Sequence, residues 1–210
     1  WSSSAASDVY KRQLIGRLSG ISAYHIPFYM RAKMLPSWKT NIIEDWETKL
    51  ERIVDETIDK DMTIISGIPS WVQMYFEKIV EKKQKKVGTI FKNFNLFIYG
   101  GVNYKPYEKK FKSLIGRKID SIELFPASEG FYAFQDRQES KDLLLILNDG
   151  IFYEFIEEKK YHSNIFDRIP IAEVGLNINY VLIVSTNAGL WAYNTGCLLY
   201  TSDAADDDHC

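Results

Sequence analysis

The first half of the chain alternates helix-like and strand-like patterns of apolar residues. Apolar side chains recur at helical spacing over residues 41–58, 71–80 and 104–114, with charged residues between them. Around these helices lie short β-branched or aromatic runs, namely Met62–Ile65, Asn95–Tyr99 and Ile119–Phe125. Ser70 is placed to cap the second helix, because a serine hydroxyl accepts a hydrogen bond from a free helical N–H. A strand–helix–strand order of this kind predicts a parallel sheet with crossover helices.

The second half of the chain has a different pattern. Short apolar runs follow one another with little helix between them, at Phe131–Phe134, Leu143–Leu147, Ile151–Ile156 and Tyr180–Ser185. Asp149 and Gly150 stand between two of these runs and are typical of a tight turn between antiparallel strands, so a hairpin is predicted there. The predicted fold class is therefore α/β, with a parallel βαβ part followed by an antiparallel β part.

Charge and composition argue against several classes of function. The 210 residues include 26 basic and 28 acidic ones, which gives a formal charge of −2 at pH 7. Near-neutrality gives no electrostatic reason to expect binding to nucleic acid or to an anionic membrane. No apolar run approaches the ~20 residues of a membrane span. The basic run Glu81–Lys86 is interpreted as the solvated end of a helix, where cations favour the C-terminal dipole.

The two ends of the chain do not share these patterns. Residues 1–13 and 197–210 lack apolar periodicity and resemble translated sequencing adapter, so we expect them to be artefacts that take no part in the core. A pair of genuine disordered tails is the alternative. Without their two basic and five acidic residues, the rest of the chain is balanced at 24 against 23. Both cysteines, Cys197 and Cys210, lie in these ends, and a core without cysteine fits a reducing compartment such as the cytoplasm.

The turn at Phe125–Gly130 holds the most informative set of side chains. It follows one predicted strand and precedes another, and ligands of open α/β sheets gather beyond the carboxyl ends of strands. The ring of Phe125 is suited to stacking on a base, and Ser128 to donating to a phosphate. Glu129 supplies the carboxylate oxygen that Mg²⁺ prefers beside phosphate, and Gly130 lets the backbone pass close to a ligand. The alternative is a plain turn between strands with an exposed glutamate.

Several further motifs stand in a fixed order along the chain. They are Leu18–Ile21, Asp45–Leu50, Ser66–Trp71, Phe97–Tyr107, Asn148–Phe155 and Ser185–Gly196. Together with the turn at 125–130, this ordered set resembles the auxin-responsive promoter family, the acyl acid amido synthetases of the adenylate-forming (acyl-CoA synthetase and luciferase-like) superfamily. The resemblance runs from about residue 16 to residue 196. It implies that residues 14–196 form part of the large N-terminal domain of such an enzyme.

The resemblance implies a two-step ligase reaction. A carboxylic acid attacks the α-phosphate of ATP and gives an acyl-adenylate and pyrophosphate; an amine such as an amino acid then displaces AMP to form an amide. The phosphates require Mg²⁺ and hydrogen-bond donors, because charge moves between carboxylate and phosphorus in the transition state. The acyl group requires an apolar pocket. In the family, a helix that corresponds to the one opened by Trp71 and Val72 borders this pocket.

The same resemblance implies a role for each matching residue of the turns. Glu129 is the Mg²⁺ and phosphate residue and Ser128 is its hydrogen-bonding neighbour, so these two are the candidate catalytic residues. Phe125 stands where the superfamily places the ring that covers adenine, and Gly130 belongs to the same nucleotide site. The turn against adenine and the acyl carbonyl is formed by Gly100, Gly101 and Val102.

The chain departs from the family pattern in several ways. The phosphate loop, rich in serine, threonine and glycine, is expected upstream of Leu14, and the small C-terminal domain is expected beyond this sequence. Cys197 stands where the family has an aspartate that binds ribose. Asn194 stands where plant members have arginine, which implies a bacterial-type member with an unknown acid substrate. We therefore expect an inactive fragment, with a Kd for ATP weaker than about a millimolar.

Two other functions stay open. An adenylate-forming ligase of another type passes the acyl group to a thiol, such as coenzyme A or a carrier protein. A non-catalytic ligand-binding domain is also compatible with a related fold, since a fold alone does not fix function. His25 and His162 are isolated in the sequence, so a catalytic triad has no support. The oligomeric state is left undetermined.

Overall fold

The computed structural model describes the backbone of residues 5–8 and 13–16, and the backbone and side chains of residues 25–140 and 142–201. The chain divides into two compact units. The first unit comprises residues 1–64, 70–95 and 108–118, and the second comprises residues 65–69, 96–107 and 119–210.

Helices are concentrated in the first unit. The described helices are α1 (Phe28–Arg31), α2 (Trp38–Asn41), α3 (Trp46–Thr57), α4 (Pro69–Lys83), α5 (Val87–Ile90), α6 (Lys105–Ile115) and α7 (Glu158–His162). The helix predicted at residues 41–58 is present but begins later, because Asp45 accepts a hydrogen bond from the Thr48 N–H at 2.9 Å and caps α3. The helix predicted at residues 104–114 is confirmed as α6.

Helix α4 begins two residues earlier than expected. Pro69 is its first residue, a position that suits proline because the first helical N–H has no partner within the helix. Ser70 therefore lies inside the helix, and its predicted role as the cap is wrong. The basic run Glu81–Lys86 does contain the end of this helix. Two salt bridges hold that end to α3 and to the residues after it: Lys82 with Asp55, and Lys83 with Asp59.

Phe76 of α4 lies at the centre of an aromatic cluster in the first unit. Its ring contacts the rings of Phe94 and Phe111 at centroid distances of 5.7 and 5.4 Å, and all three side chains are fully buried. Edge-to-face pairs of this kind contribute about 0.5–1.5 kcal/mol beyond the area they bury. The cluster therefore ties α4 to α6 and to the segment that follows α5.

Most strands lie in the second unit and form two sheets. The first sheet has the order β3 (Ile64–Ser66), β4 (Leu96–Gly100), β5 (Asp120–Pro126), β6 (Phe131–Phe134) and β7 (Leu144–Leu145). The second has the order β11 (Tyr193–Tyr200), β10 (Asn179–Thr186), β8 (Ile151–Glu157) and β9 (Ile169–Pro170). A separate antiparallel pair is formed by β1 (Ala5–Asp8) and β2 (Gln13–Gly16).

The strand directions confirm the predicted fold class. β4 and β5 are parallel and are connected by α6, whereas β5, β6 and β7 pair antiparallel within the same sheet. Every pair in the second sheet is antiparallel among the described residues. The chain is therefore α/β, with a parallel βαβ part followed by an antiparallel part.

The hairpin predicted at Asp149 and Gly150 is wrong. β7, which precedes this pair, belongs to the first sheet, whereas β8, which follows it, pairs with β9 and β10 in the second. Gly150 has a φ of +72°, which suits glycine, and its carbonyl accepts the N–H of Asn187 at 3.3 Å. The signal for a sharp turn was therefore correct, but the turn carries the chain from one sheet to the other.

The core of the second unit is built from alternate residues of β8 and β10 together with one residue of β6. Its buried members are Tyr132, Tyr153, Phe155, Tyr180, Leu182 and Val184. Half-buried Phe125 and Leu199 pack against this cluster. The intervening residues Val181 and Ile183 join a second cluster, as the two-residue period of a strand requires.

The segment after Gly196 is not separate from the core. β11 continues to Tyr200 and pairs with β10, with Leu199 opposite Tyr180. Leu199 also packs against the core cluster, so the expectation that this segment takes no part in the core is wrong for residues 197–200. Of residues 1–13, the structure describes only the backbone that enters the β1–β2 pair. The adapter origin of both ends stays a prediction.

Candidate functional site

The two turns predicted to bind nucleotide follow neighbouring strands of the first sheet. β4 ends at Gly100 and β5 at Pro126, and Gly100 lies opposite Leu124 in the parallel register. The carboxyl ends of the two strands therefore meet at one edge of the sheet, which is where open α/β proteins place ligands. The segments 100–102 and 128–130 follow these ends along the chain.

Gly100 ends β4 in close contact with the backbone of β5. A Cβ atom on residue 100 would lie 2.5 Å from the carbonyl oxygen of Leu124 and 3.1 Å from Cδ of Pro126. Backbone atoms of a paired strand do not yield as a flexible side chain does. Packing alone therefore requires glycine at this position, whether or not a ligand lies beside it.

Gly100→Ala is expected to destabilise the chain by about 1–3 kcal/mol, the usual cost of overpacking. Urea unfolding of the 210-residue chain measures this loss as a lower midpoint. Ser128→Ala, which truncates an exposed side chain beyond the next strand, is the control and is expected to change stability by less than about 0.5 kcal/mol. A midpoint for Gly100→Ala equal to that of the control would contradict the packing argument.

Residues 101–103 turn the chain from β4 into α6. Gly101 has a φ of +80°, a conformation that L side chains rarely adopt, and open space surrounds its Cα. Val102 is 39% exposed. Asn103 accepts a hydrogen bond from the Lys105 N–H at 2.8 Å and so fixes the start of α6. The predicted turn is present, and its exposed apolar side chain is that of Val102.

Ser128 and Glu129 form the tip of the turn between β5 and β6. The N–H of Ala127 donates to the carbonyl of Gly130 at 2.8 Å and closes the turn. Ser128 is exposed and Glu129 is half-buried. The local geometry is therefore that of a strand-to-strand turn, but Glu129 is half-buried rather than exposed as the plain alternative assumed.

Phe125 is held by the core of the second unit. Its ring meets that of Tyr132 edge to face, with a centroid distance of 5.2 Å and an interplanar angle of 73°. The side chain is half-buried against the core cluster. Packing therefore explains the presence of an aromatic residue here, and the role of Phe125 as a cover for adenine stays a prediction.

Tyr132 is the residue of this region that the sequence did not single out. Phe125 pairs with Ala133 and Pro126 pairs with Phe131, so Tyr132 is the extra residue of a β-bulge. Its side chain is fully buried, and its hydroxyl has no hydrogen-bond partner among the residues that the structure describes. An aromatic residue in a strand ordinarily indicates core packing, so no pattern in the sequence marked this hydroxyl.

The surroundings of the Tyr132 hydroxyl connect two predicted positions. Burial raises the pKa of Tyr132 well above its ordinary value, and the negative charge of Glu129 raises it further. The Cys197 and Tyr193 side chains act on its pKa in the same direction. Glu129 and Cys197, which are far apart in the sequence, are therefore both close enough to one phenol to influence its ionisation.

Asn194, at the position where plant members have arginine, is held by two hydrogen bonds. Its side-chain amide donates to the Tyr161 hydroxyl at 2.9 Å, and its carbonyl oxygen accepts the Gly196 N–H at 2.9 Å. In the loop before it, Trp191 is 83% exposed. The inference from Asn194, a bacterial-type member with an unknown acid substrate, stays a prediction.

Trp71 and Val72 belong to the first unit. The ring of Trp71 packs on that of Trp46 with a centroid distance of 4.9 Å, and Val72 is buried. Both are thus explained by the packing of α4 within its own unit. Their proposed place beside an acyl pocket stays a prediction.

No group of three or more His, Cys, Asp or Glu side chains suited to a metal ion occurs among residues 25–140 and 142–201. Within the described part of the chain, no helix is both long enough and apolar enough to cross a membrane.

An open depression of about 310 Å³ lies in the second unit, and none of the predicted site residues lines it. Its lining residues are Glu157, Glu158, Lys159, Asn177, Ile178, Asn179 and Tyr200.

Solved structures of adenylate-forming enzymes share this fold. A GH3.15 acyl acid amido synthetase superposes with a TM-score of 0.65 at 9% identity and matches 93% of this chain and 43% of its own. The same enzyme in complex with 2,4-DB gives 0.58 at 10% identity, over 79% and 38%. A 2-hydroxyisobutyryl-CoA ligase in complex with 2-HIB-AMP and CoA gives 0.54 at 12% identity, over 74% and 35%. The fold is therefore that of part of an adenylate-forming ligase.

A family model matches a shorter stretch of the sequence. Residues 144–205 match the model of the GH3 family central domain, in agreement with the family that the ordered motifs resemble. No curated protein matches this chain. The chain spans less than half the length of the solved structures that it resembles.

Proposed function

We propose that this chain is part of an ATP-dependent acyl acid amido synthetase, which adenylates a carboxylic acid and then forms an amide with an amine such as an amino acid. One observation carries the proposal. The two turns that the resemblance assigns to nucleotide binding follow the adjacent, parallel strands β4 and β5 and so meet at one sheet edge. The match of residues 144–205 to the GH3 central domain supports the family context.

The donor set at the turns fits Mg²⁺ and ATP. Mg²⁺ keeps several waters and is bound through one or two carboxylates together with substrate phosphates, so it does not require a cage of protein ligands. One glutamate, half-buried Glu129, next to exposed Ser128 suits this mode of binding. The unpartnered Tyr132 hydroxyl supplies a further polar group next to this turn. When bound, the ion would neutralise phosphate charge in the first step.

Each residue of the turns has a defined task in this proposal. Glu129 holds the cation through its carboxylate, and Ser128 donates its hydroxyl hydrogen to a phosphate oxygen. Gly101 and Val102 leave a gap against which adenine and the acyl carbonyl lie, since Gly101 has open space around it. Phe125 covers adenine with the face of its ring that the core leaves accessible.

The acceptor of the acyl group defines a second candidate function. The likeness to a 2-hydroxyisobutyryl-CoA ligase favours an enzyme that passes the acyl group to the thiol of coenzyme A. Experiments on the full-length protein distinguish the amido synthetase from the coenzyme A ligase. Exchange of pyrophosphate that depends on a carboxylic acid tests the first step, and product analysis with amino acids or with coenzyme A identifies the second. An amide product supports the amido synthetase, a thioester supports the alternative, and absence of exchange contradicts both.

Cys197 offers a direct test of the nucleotide site. Cys197→Asp restores the carboxylate that the family uses to bind ribose, and a charge-assisted hydrogen bond contributes roughly 1.5–3 kcal/mol. We therefore expect the affinity of the 210-residue chain for ATP to rise at least about tenfold, as measured by isothermal titration. Cys197→Ser, which removes the thiol without adding charge, is the control. Equal affinities for both variants would place the ribose site elsewhere.

A cytoplasmic location belongs to the same proposal. It rests on the absence of cysteine from residues 14–196 of the sequence. We also propose that residues 14–196 are one partial N-terminal domain and that the two ends have a different origin. The grounds are the ordered motifs and the adapter-like composition of the ends.

A further inference from the structure

The β5–β6 turn contains a buried polar group with an unusual environment. The Tyr132 hydroxyl is fully buried, and it lacks a hydrogen-bond partner among the residues that the structure describes. Burying a donor without an acceptor is unfavourable, so nearly all such groups in folded proteins find a partner. The hydroxyl is therefore expected to form a hydrogen bond with a polar group close to it.

The β-bulge directs this ring towards the turn. Because Tyr132 is the extra residue of the bulge, its side chain departs from the regular alternation along β6, and bulges beside active sites commonly redirect a side chain in this way. Gly130 leaves the space that the ring needs, since a Cβ atom there would lie 3.1 Å from Cε1 of Tyr132. Cε1 is bonded to the carbon that carries the hydroxyl. The polar end of the ring thus lies against the residue next to Glu129.

We propose that Tyr132 is a positioning residue for Glu129: its phenol O–H donates a hydrogen bond to the Glu129 carboxylate and holds that carboxylate at the tip of the turn. Glu129 is half-buried and its side chain rotates about several single bonds, so the proposal requires a change of side-chain rotamer. The inference rests on the proposed function only where it takes Glu129 to be the ligand of Mg²⁺ and phosphate.

The phenol is well suited to act as a donor. A tyrosine hydroxyl has an ordinary pKa of about 10, so it carries its proton at neutral pH, where the carboxylate of a glutamate is ordinarily ionised. Hydrogen bonds to an ionised carboxylate are roughly twice as strong as those between neutral groups. One carboxylate oxygen held by Tyr132 leaves the other directed towards a ligand. Less side-chain freedom is then lost when the ligand binds.

Tyr153 provides a matched control. Its hydroxyl is also buried and without a partner in the described residues, and its ring contacts that of Tyr132 at a centroid distance of 6.2 Å. Burial raises the pKa of Tyr153 too, but the charge that acts on it is that of Asp149. Tyr153→Phe therefore removes the same atom from the same core cluster, at a hydroxyl on which the charge of Asp149 rather than that of Glu129 acts.

A double-mutant cycle in the free 210-residue chain tests the bond. Tyr132→Phe and Glu129→Gln are expected to be coupled, so that the unfolding constant of the double variant differs about tenfold, or 1.4 kcal/mol, from the product of the single effects. Tyr153→Phe and Glu129→Gln are expected to combine within about twofold. With ¹³C at the Cζ of tyrosine, Glu129→Gln is expected to shift the NMR signal of Tyr132 and to leave that of Tyr153 in place.

The full-length protein allows a measurement, the Mg²⁺ dependence of pyrophosphate exchange, that would not change if Tyr132 had a purely structural role. Tyr132→Phe is expected to raise the Mg²⁺ concentration for half-maximal pyrophosphate exchange about tenfold, whereas Tyr153→Phe leaves it unchanged. Additive behaviour of Tyr132→Phe and Glu129→Gln, together with an unmoved Tyr132 signal, overturns the inference. If the cycle shows coupling but Glu129→Gln exchanges pyrophosphate at the normal rate, the hydrogen bond is supported. In that case Glu129 does not belong to the nucleotide site. The two failures are therefore distinguishable.

Discussion

Glu129→Gln in the full-length protein is expected to slow acid-dependent pyrophosphate exchange by a hundredfold or more. The substitution keeps the size of the side chain and its place at the β5–β6 turn but removes the negative charge proposed to hold the cation. Loss of one such electrostatic contact in a transition state costs about 3 kcal/mol, which is roughly a hundredfold in rate. Exchange of labelled pyrophosphate into ATP measures the effect.

An exposed glutamate in the same unit provides the control for this substitution. Glu139 lies in the loop after β6, and Glu139→Gln removes the same charge from the surface. We expect its exchange rate to stay within about twofold of the unmodified protein, because isolated surface charges contribute little. Similar rates for Glu129→Gln and Glu139→Gln would take Glu129 out of the site.

Phe76→Ala is expected to lower the free energy of unfolding by about 3–5 kcal/mol. Phe76 is fully buried in the first unit, and its ring contacts those of Phe94 and Phe111. The truncation removes both contacts and leaves a cavity at the junction of α4 and α6. Because a domain is stable by only about 5–15 kcal/mol, such a loss consumes a large share of the total. Urea unfolding of the 210-residue chain measures it.

Met74 lies on the same helix and serves as the matched position. It is 40% exposed, so Met74→Ala removes an apolar side chain from a solvated face of the helix. Methionine and alanine are both good helix formers, so the helix propensity changes little. A loss below about 0.5–1 kcal/mol is expected. If the two variants unfold at the same urea concentration, the aromatic cluster does not hold α4 in place.

Periodicity predicted most elements because it reports the face that an element buries. The helix at residues 104–114 and the strand at Asn95–Tyr99 appear within a residue or two of the expected bounds, as α6 and β4. The helix at 41–58 was expected too early, since its true start depends on the Asp45 cap rather than on apolar spacing. Ser70 was misjudged because Pro69 already satisfied the requirements of a first helical residue.

Pairing between strands was harder to predict than the strands themselves. Asp149 and Gly150 gave a correct turn signal, but the partner of a strand depends on contacts distant in sequence, and β8 finds β10 rather than β7. The same limit applies to Cys197. Adapter-like composition predicted its separation from the core, whereas the register with β10 places the residues after it in a sheet.

The candidate site was predictable to the extent that it is local in sequence. The turn containing Ser128 and Glu129 follows a strand end as expected, and so does Gly100. The position of the Tyr132 hydroxyl could not be predicted from the sequence, because it depends on a one-residue bulge and on the space left by Gly130. Neither feature has a signature that separates it from ordinary core packing.

The irregular pairing of β10 with β11 bears on self-association. β11 lies at the edge of the second sheet, and there Thr195, Gly196 and Cys197 stand opposite the single residue Leu182, with Gly196 at a φ of +76°. A straight edge strand offers a ready template for a strand of another molecule. The irregularity interrupts the row of backbone donors and acceptors along β11. We therefore expect that a second copy of the chain does not extend this sheet edge into a fibre.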